Sequence, residues 1–339
     1  MIVNNVVNVN HALRRGVEMF KEYAARPDCL VAPRGILTIE APEPVTTCYV
    51  QPTQRVLFNS ARDANPFFHF FEALWMLAGR NDLKFVAKIN KQMNEYSDDG
   101  VTMWGAYGWR WRSFFGFDQI HEVVKLLKAD SFSRRAVLQM WSPPGDLRSA
   151  LIAGGSGART GKDVPCNTAA FFKLRNGALH MTVTNRSNDM LWGAYGANVV
   201  HMSMLQEYVA NKLGVGVGIY RQMSDSLHVY LDGKGGELWA KVREAPEDVM
   251  RVDPYRDGSV ESFPMDASTD EWDKDLKLFL ARATDDLKVE AKQYHTEFFQ
   301  NVVVPMWRAW STRSTSEMVL CAASDWRKAG LMWLNRRAK

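Results

Sequence analysis

The chain has 339 residues, of which 46% are hydrophobic, 24% charged and 12% aromatic, a composition too apolar for a disordered protein. Its 42 basic and 38 acidic residues are intermixed and leave a formal net charge of +4, which permits an anionic ligand without indicating nucleic acid. No apolar run is long enough to cross a bilayer, and the N-terminus lacks the layout of a signal peptide. Four scattered cysteines without metal-ligand spacing indicate reduced thiols and no metal centre, so we expect a soluble protein of a cytosol-like compartment.

The first half of the chain predicts helices separated by short β-rich or irregular stretches. Apolar periodicity, the start signal Asn65-Pro66 and the stop at Gly79 define the clearest of these helices. In chain order we expect a helix over 12–25, β-rich sequence over 34–58, helices over 65–79 and 83–90, a shaped aromatic loop over 100–117, a helix over 118–130 and a buried strand over 134–142.

The second half centres on a hairpin and a long helix. Asn176-Gly177 between two alternating apolar runs is a strong hairpin signal, and Gly214 stops a helix that begins at Asn198. In chain order we expect a flexible loop over 145–165, the hairpin, a helix over 198–213, a strand, a turn and a second strand or helix start over 218–231, irregular sequence over 233–275, a helix over 271–291 and a basic tail. Because strands and helices alternate without a βαβ rhythm, we expect one mixed α/β (α+β) domain over residues 1–339.

The glycine-rich sequence GGSGARTGKD resembles a phosphate-binding loop only superficially. The spacing from Gly155 to Gly161-Lys162 is one residue too long, and Asp163 stands where a magnesium-binding Ser or Thr is needed. No strand–loop–helix context supports the motif. A nucleotide kinase is therefore disfavoured.

Cys166 is the candidate nucleophile. A free cysteine is more often buried and inert, and catalysis requires an electropositive, partly exposed niche that lowers the pKa of the thiol. Arginines close in space would supply that niche. A cysteine hydrolase would need a histidine base, for which His201 and His228 follow at plausible distances, although a structural position is more typical of His201 on the long helix.

Polar clusters near predicted strand ends fit the recognition of an anionic ligand. Arg134-Arg135 can clamp a phosphate through forked guanidinium groups, although two solvated end charges are the simpler interpretation. The polar run 185–189 is poor core material. Asn198 can cap a helix or read the edge of a uracil ring, since its amide both donates and accepts. His228 and Tyr230 are two residues apart and share one strand face, from which both can bind a sugar hydroxyl.

In order and spacing, these motifs resemble the thymidylate synthase superfamily, including its nucleotide hydroxymethylase branch, from Arg34 to Asp232. The matching pieces are Phe71–Gly79, Ala106-Tyr107-Gly108 with Trp111-Arg112, Asp118-Gln119-Ile120, Ser133-Arg134-Arg135, Val164-Pro165-Cys166, Arg186-Ser187 with Asp189, Asn198, and His228 with Tyr230. The resemblance implies a thymidylate synthase-like mixed β-sheet flanked by helices, a dimer formed through sheet packing, and a divergent C-terminal part over about 240–339.

The resemblance also implies a reaction. The thiolate of Cys166 would add to C6 of a pyrimidine nucleotide, helped to ionise by nearby arginines, and C5 would attack the one-carbon unit of 5,10-methylenetetrahydrofolate. By this resemblance, Glu72 and Asn167 would organise water and protons, and Tyr107 would assist C5 deprotonation. Arg34, Arg186 and Ser187 would bind the phosphate, joined by Arg134 and Arg135 from the partner subunit of a homodimer. Asn198 would read the base, His228 and Tyr230 would bind the 3′-hydroxyl, and Asp189, Met93 and Trp75 would contact the folate.

The choice of base rests on Asn198. In this family an asparagine here reads uracil and an aspartate reads cytosine, because a carboxylate would face uracil O4 unfavourably. One extra residue separates Asp189 from Asn198 relative to the synthases, but the helix that follows keeps its register. Ser187 is like the deoxyribonucleotide enzymes. Together these residues favour dUMP.

Three departures from the synthase pattern favour the addition of water over hydride transfer at the methylene intermediate. Met93 and Tyr96 replace two tryptophans, Asn167 replaces the usual histidine after the cysteine, and residues 331–339 are basic where the synthases have an apolar closing tail. We therefore expect a homodimeric dUMP hydroxymethylase of the kind that phages use to make modified DNA. It would act in the cytoplasm, that of the host if phage-encoded, with no membrane or stable nucleic-acid partner.

Other functions stay open. The first alternative is a thymidylate synthase that makes dTMP, and the next is a dCMP hydroxymethylase, which Asn198 disfavours. A non-catalytic relative that binds nucleic acid or a partner protein is a different class, although the intact set of Cys166, Arg186, Asp189 and Asn198 argues against it. That class is motivated by the basic residues of the tail, Arg327, Lys328, Arg336, Arg337 and Lys339.

Overall fold

Helices make up most of the regular structure. The computed structural model describes residues 1–147 and 161–338. The helices are α1 (Val9–Tyr23), α2 (Pro66–Leu77), α3 (Leu83–Ile89), α4 (Met93–Tyr96), α5 (Tyr107–Trp109), α6 (Gln119–Ala129), α7 (Asn198–Leu213), α8 (Gly233–Arg243), α9 (Glu247–Met250), α10 (Asp270–Thr284), α11 (Val304–Thr312), α12 (Thr315–Val319) and α13 (Ser324–Asn335). Short 3₁₀ or π-helical turns occupy Pro27–Cys29, Pro33–Gly35, Arg110–Phe114, Pro143–Leu147, Met190–Ala197, Ala291–Gln293 and Phe299–Val303.

The strands form two mixed sheets. The strands are β1 (Ile2–Val6), β2 (Leu30–Val31), β3 (Thr38–Glu40), β4 (Val45–Tyr49), β5 (Val137–Gln139), β6 (Asn167–Arg175), β7 (Ala178–Asn185), β8 (Asn188–Asp189), β9 (Gly216–Ser224) and β10 (Leu227–Tyr230). The larger sheet has the order β1-β4-β9-β7-β6-β5, and the smaller has the order β2-β3-β10-β8. Each sheet contains parallel pairs (β1 with β4, β7 with β9, β10 with β8) as well as antiparallel ones, as the predicted mixed sheet requires.

The predicted hairpin is the antiparallel pair β6–β7, joined at Asn176-Gly177. Both turn residues have positive φ, 51° and 72°, the signature of a type I′ turn. Side chains of β7 alternate, so that Leu179, Met181 and Val183 are buried while the intervening residues face outward.

Two buried helices, α2 and α7, form the centre of the molecule. Every residue of α2 is buried, and α7 is buried from Asn198 to Ala210, so both helices are covered on all sides. They pack against each other, and α7 also lies on β7 and β9. Polar side chains on these two helices therefore occupy fixed positions inside the protein.

An irregular helical segment leads directly into α7. Residues Met190–Ala197 form a π-helical segment with a kink at Tyr195 and Gly196. Asn198 follows this segment as the first residue of α7. The kinked segment therefore sets where the side chain of Asn198 enters the protein interior.

Two predictions of irregular structure are wrong, because neither the aromatic, glycine-rich composition of the first stretch nor the polar composition of the second excludes helices. The stretch 100–117 contains α5 and a π-helical turn, and 233–275 contains α8 and α9. A Cβ on Gly108 would lie 2.0 Å from the carbonyl oxygen of Met76, and one on Gly236 would lie 2.1 Å from that of Leu231. Because these glycines have no side chain, the helices that contain them can approach neighbouring backbone closely.

Other predicted bounds also need correction. The expected strand over 134–142 is hydrogen-bonded only over Val137–Gln139, and the expected helix over 271–291 ends at Thr284. The N-terminal strand β1 was not predicted, and the predicted helix over 12–25 begins earlier, at Val9, where the side chain of Asn8 caps it. Most of the predicted loop over 145–165, including Gly155, lies outside the described residues.

The basic tail is largely helical and docked on the protein. Residues of α13 pack against α2, and Arg336 and Arg337 both form ion pairs with Asp63. Arg327 donates to the carbonyl oxygen of Cys321, and Lys328 to Ser259. Among the described residues, no helix combines the length and apolarity that a membrane crossing needs.

Candidate active site

A cavity of about 500 Å³ lies where α2, the first turn of α7 and the smaller sheet meet. This volume is typical of a small-molecule site. Predicted site residues in its wall are Glu72, Trp75, Met93, Tyr107, Cys166, Ser187, Asp189, Asn198, His228 and Tyr230. The other predicted site residues, which are not in this wall, are Arg34, Arg134, Arg135, Asn167 and Arg186.

Cys166 precedes β6 at the cavity wall, close to an arginine. Its Sγ lies 3.9 Å from Nη2 of Arg186. Burial raises the pKa of the Cys166 thiol, while the positive charges of Arg186 and Arg34 oppose that rise. The predicted arginines thus act in the expected direction, but burial is the larger effect, so the pKa of the thiol is raised.

Tyr107 is held against the cysteine. Its hydroxyl oxygen accepts the backbone N–H groups of Cys166 and Asn167, each at 3.3 Å. Burial raises the pKa of Tyr107 well above its usual value, so the phenol stays neutral. The two accepted hydrogen bonds leave the tyrosine proton for a third partner in the cavity.

Arg186 is oriented by carbonyl groups beside the nucleophile. It donates to the carbonyl oxygens of Pro165 at 3.0 Å and Val164 at 3.1 Å, and it lies over the ring of Trp141. Arg34 has a left-handed backbone, with φ 57°, and its charge opposes the rise that burial causes in the pKa values of both Cys166 and Tyr230. Positive charge therefore flanks the mouth of the cavity, as an anionic ligand requires.

Arg134 and Arg135 are exposed and lie outside the cavity of their own chain. They lie just before β5, the edge strand of the larger sheet. In this position the two arginines are accessible to another molecule.

Asn198 does not cap its helix. The N-cap position of α7 is Ala197, so the interpretation of Asn198 as a plain cap is wrong. Its Nδ2 instead donates to Oδ1 of Asn188 at 3.0 Å, and Nδ2 of Asn188 donates to the hydroxyl of Ser224 at 3.1 Å. This chain of amides fixes which end of the Asn198 side chain is the donor.

Asp189 is a half-buried residue of the cavity wall. Its Oδ1 accepts the N–H of Trp192 at 2.6 Å, and burial raises the pKa of the carboxyl group. Trp75 is buried with its indole N–H bonded to Asp82, while Met93 is half-buried. Trp75 and Met93 offer an apolar surface and Asp189 offers a hydrogen-bond acceptor, a combination that suits a flat heterocycle with N–H groups.

The last predicted pair lies on β10. His228 and Tyr230 pack edge to face with ring centroids 5.2 Å apart, and both line the cavity. Nδ1 of His228 is 3.2 Å from the hydroxyl of Ser226. The prediction that they share one face of a strand is confirmed.

Sequence reasoning missed two polar groups of the cavity. Nε2 of His201 lies 3.0 Å from Oε2 of Glu72. His201 therefore contacts a predicted site residue in addition to packing within its helix. Burial raises the pKa of Asp163 to about 6, and its Oδ2 accepts the N–H of Gly105 at 2.8 Å. The spacing of three residues from Asn198 to His201 was the available signal, since it places both on one helix face.

Comparison with known proteins identifies the family. The family model described as thymidylate synthase matches residues 67–304, and the chain belongs to this family. It is 44% identical over 311 residues to a deoxyuridylate hydroxymethyltransferase of Pseudomonas phage M6, covering 87% of this chain and 84% of that protein. The predicted family and fold are therefore confirmed.

Further relatives share shorter segments. A deoxyuridylate hydroxymethyltransferase of Bacillus phage SP01 is 40% identical over 233 residues, which cover 66% of this chain and 56% of the relative. A putative thymidylate synthase of Methanosarcina barkeri is 38% identical over 125 residues, covering 37% of this chain and 52% of the relative. The chain thus spans about half the length of these two relatives and most of the phage M6 protein.

Proposed function

We propose that this chain transfers a one-carbon unit from 5,10-methylenetetrahydrofolate to C5 of dUMP and that water completes the reaction, giving 5-hydroxymethyl-dUMP. The observation that carries the proposal is a half-buried cysteine, Cys166, that shares a cavity with the oriented amide of Asn198. The relative named deoxyuridylate hydroxymethyltransferase that aligns over 87% of the chain supports the choice of product.

Catalysis begins at Cys166. Its sulfur adds to C6 of the pyrimidine, and the electron pair of the C5–C6 double bond moves to C5, conjugated with the C4 carbonyl. Arg186, 3.9 Å from Sγ, stabilises the thiolate. The neutral hydroxyl of Tyr107, bonded to the amides of Cys166 and Asn167, is placed to take part when the C5 proton leaves.

The base is read by Asn198. Because one Nδ2 proton is given to Asn188, the other is free to donate to uracil O4, and Oδ1 is free to accept from uracil N3–H. Cytosine presents a donor at position 4 and an acceptor at N3, so both contacts would be mismatched. The geometry therefore supports dUMP over dCMP.

The phosphate and sugar lie toward the mouth of the cavity in this proposal. Arg34, Arg186 and Ser187 would bind the phosphate, because forked guanidinium groups match its oxygens. His228 and Tyr230 would bind the 3′-hydroxyl from the same strand face.

A homodimer would complete the phosphate site. Arg134 and Arg135 are exposed and outside their own cavity, so we propose that each chain donates them to its partner. The outward face of the larger sheet would form the interface. That face carries half-buried Thr182 and Met223 beside Phe171, which is 40% exposed.

The residues on the far side of the cavity fit a folate. The folate supplies a one-carbon unit at the oxidation level of formaldehyde. Asp189 would accept from the pterin N–H groups, and Trp75 and Met93 would pack against its ring. Because Met93 is half-buried and Tyr96 is 40% exposed, this wall of the cavity is open enough for water to enter.

The identity of the product tests the proposal. The purified chain is incubated with dUMP and 5,10-methylenetetrahydrofolate, and the nucleotide is weighed by mass spectrometry. We expect 5-hydroxymethyl-dUMP with no absorbance rise from dihydrofolate. Methylated nucleotide with dihydrofolate would assign the chain as a thymidylate synthase, and turnover of dCMP in place of dUMP would overturn the base assignment.

A further inference from the structure

His201 is a buried histidine that faces the carboxylate of Glu72 across the core. His201 is 3% and Glu72 9% exposed, and both line the cavity. Their helices, α7 and α2, pack against each other and are covered on all sides. The 3.0 Å distance between Nε2 and Oε2 is therefore a fixed property of the fold.

This contact requires a proton between the two groups. Two lone pairs 3.0 Å apart would repel, so either the imidazole or the carboxyl group carries a hydrogen that the other can attract. Although Nε2 lies within ion-pair distance of Oε2, neither ring nitrogen of His201 has a hydrogen-bond partner among the described residues. Polar groups buried in this way are commonly satisfied by ordered water, and a polar cavity beside the pair provides room for it.

Several titratable or charged groups line the cavity around the pair. Arg62, a buried residue of the cavity wall, donates to the carbonyl oxygen of Leu191. His69 is buried beside His201, and burial lowers the pKa of His69 well below its usual value, so His69 is neutral. Across the cavity lies Asp163, a carboxyl group near Cys166. Of these two histidines, His201 is the one whose imidazole contacts a carboxylate, that of Glu72.

We propose that His201, together with Glu72, holds and deprotonates the water molecule that converts the bound methylene group into a hydroxymethyl group. The inference rests on the proposed function and assigns the residue that directs its last step. Such a pair acts as one general base, because the carboxylate stabilises the imidazolium that forms.

The step balances as follows. The water oxygen forms a bond to the exocyclic carbon on C5, and the electron pair of the exocyclic double bond moves toward O4. The proton of water passes to the His201–Glu72 pair. The electron pair then returns to form the C5–C6 double bond, and the C6–S bond breaks to release the thiolate of Cys166. No oxidant or reductant is required.

The test separates this step from the earlier ones. Exchange of histidine for glutamine, His201→Gln, keeps a polar side chain but removes the basic ring. Release of tritium from [5-³H]dUMP reports the steps up to loss of the C5 proton, and the mass of the nucleotide reports the last step. We expect a single-turnover burst of tritium release like that of the wild type, with formation of 5-hydroxymethyl-dUMP lowered about 100-fold.

An added thiol provides a second readout. A thiolate attacks the exocyclic carbon without a general base, so 2-mercaptoethanol should trap a thioether of dUMP in His201→Gln. His121→Gln is the control, because it makes the same exchange at an exposed histidine on α6 that does not line the cavity. It should show the wild-type ratio of hydroxymethyl product to thioether.

Two results would overturn the inference. Equal losses of tritium release and product in His201→Gln would place the residue before the water step or in structure alone, and unchanged product would exclude it. A wild type that makes dTMP would instead overturn the proposed function.

A measurement on the wild type covers the case in which the variant does not fold. Attack by water transfers a proton to the pair, whereas attack by thiolate does not. The ratio of thioether to hydroxymethyl product should therefore rise in heavy water. An unchanged ratio would contradict proton transfer at this step.

Discussion

At the scale of single residues, the proposed choice of base depends on Asn188, which holds the base-reading Asn198 but does not itself read the base. Asn188 accepts from Asn198 at 3.0 Å and is itself held by Ser224. A free asparagine amide can rotate by 180° and exchange donor for acceptor, which would suit cytosine as well as uracil. Asn188 is therefore expected to be a positioning residue for specificity.

The exchange Asn188→Leu tests this role. Without an acceptor beside it, the amide of Asn198 can turn, and the ratio of kcat/KM for dUMP to that for dCMP should fall about tenfold. Asn188→Asp is the matched control, because it retains an acceptor and should retain the preference. A preference unchanged in both variants would show that Asn188 does not orient the base-reading amide.

The ionisation of Cys166 gives a second prediction at this scale. Burial raises the pKa of the thiol and Arg186 opposes the rise, so removal of that charge in Arg186→Met should raise the pKa further. Less thiolate would then exist at any given pH. The rate of iodoacetamide labelling of Cys166 should follow a profile displaced to higher pH.

Labelling is followed by mass spectrometry, with Cys166→Ser subtracting the other cysteines. An unchanged profile in Arg186→Met would show that the arginine does not tune the nucleophile.

A site residue could be predicted from the sequence where it stands within a short recognisable motif. Cys166 and Tyr107 stand in short segments of matching order, and the structure brings both to one cavity. Asn188 and His201 act through contacts with other elements, and no local pattern encodes such contacts. Arg134 and Arg135 remain predictions because their expected partner is another chain.

At the scale of elements, the C-terminal helix α13 is tied to the rim of the cavity. Asp63 lines the cavity and pairs with Arg336 and Arg337, each through an N–O distance of 2.7 Å. Burial alone would raise the pKa of Asp63, but hydrogen bonds from Arg337 and Arg336 together lower it. The aromatic ring of Trp333 lies 4.0 Å from the guanidinium carbon of Arg337 and strengthens the attachment.

The exchange Asp63→Asn should loosen α13. Loss of two partly exposed ion pairs is expected to cost about 1 kcal/mol of unfolding free energy and to speed backbone hydrogen exchange over Ser324–Asn335. Because the folded pKa of Asp63 is lowered, its contribution is present above the unfolded pKa and is lost as the pH falls through the folded pKa.

The matched control is Asp285→Asn, which removes an exposed pair with Lys84 away from the cavity. Equal exchange rates over the helix in both variants would show that Asp63 does not anchor α13.

Element prediction succeeded where periodicity and turn chemistry are local. The hairpin at Asn176-Gly177 and the long helix α7 are examples. It failed where a glycine marks close packing, as at Gly108, because a loop glycine and a packing glycine look alike in sequence. The tail was described by its charges alone, and its docking depends on Asp63, which is distant in sequence.

At the scale of the whole molecule, the proposed site is complete only in a dimer. One chain supplies Cys166, and we expect its partner to supply Arg134 and Arg135. The species in solution should therefore have twice the 38.5 kDa mass of the chain.

Mixed variants test the shared site more sharply than mass alone. A Cys166→Ser chain and an Arg134→Ala/Arg135→Ala chain should each be inactive. A hybrid of the two has one site with an intact cysteine and intact partner arginines, so mixing after mild dissociation should restore about a quarter of the wild-type activity. Failure of the mixture to regain activity while hybrids form would show that the arginines serve their own chain or none.

The central claim is that water, rather than hydride, completes the reaction at C5. Reaction of the wild-type chain with dUMP and 5,10-methylenetetrahydrofolate in ¹⁸O-enriched water tests it most directly. The account predicts a 5-hydroxymethyl-dUMP that carries the heavy oxygen, with the folate recovered as tetrahydrofolate. An unlabelled, methylated nucleotide accompanied by dihydrofolate would contradict it.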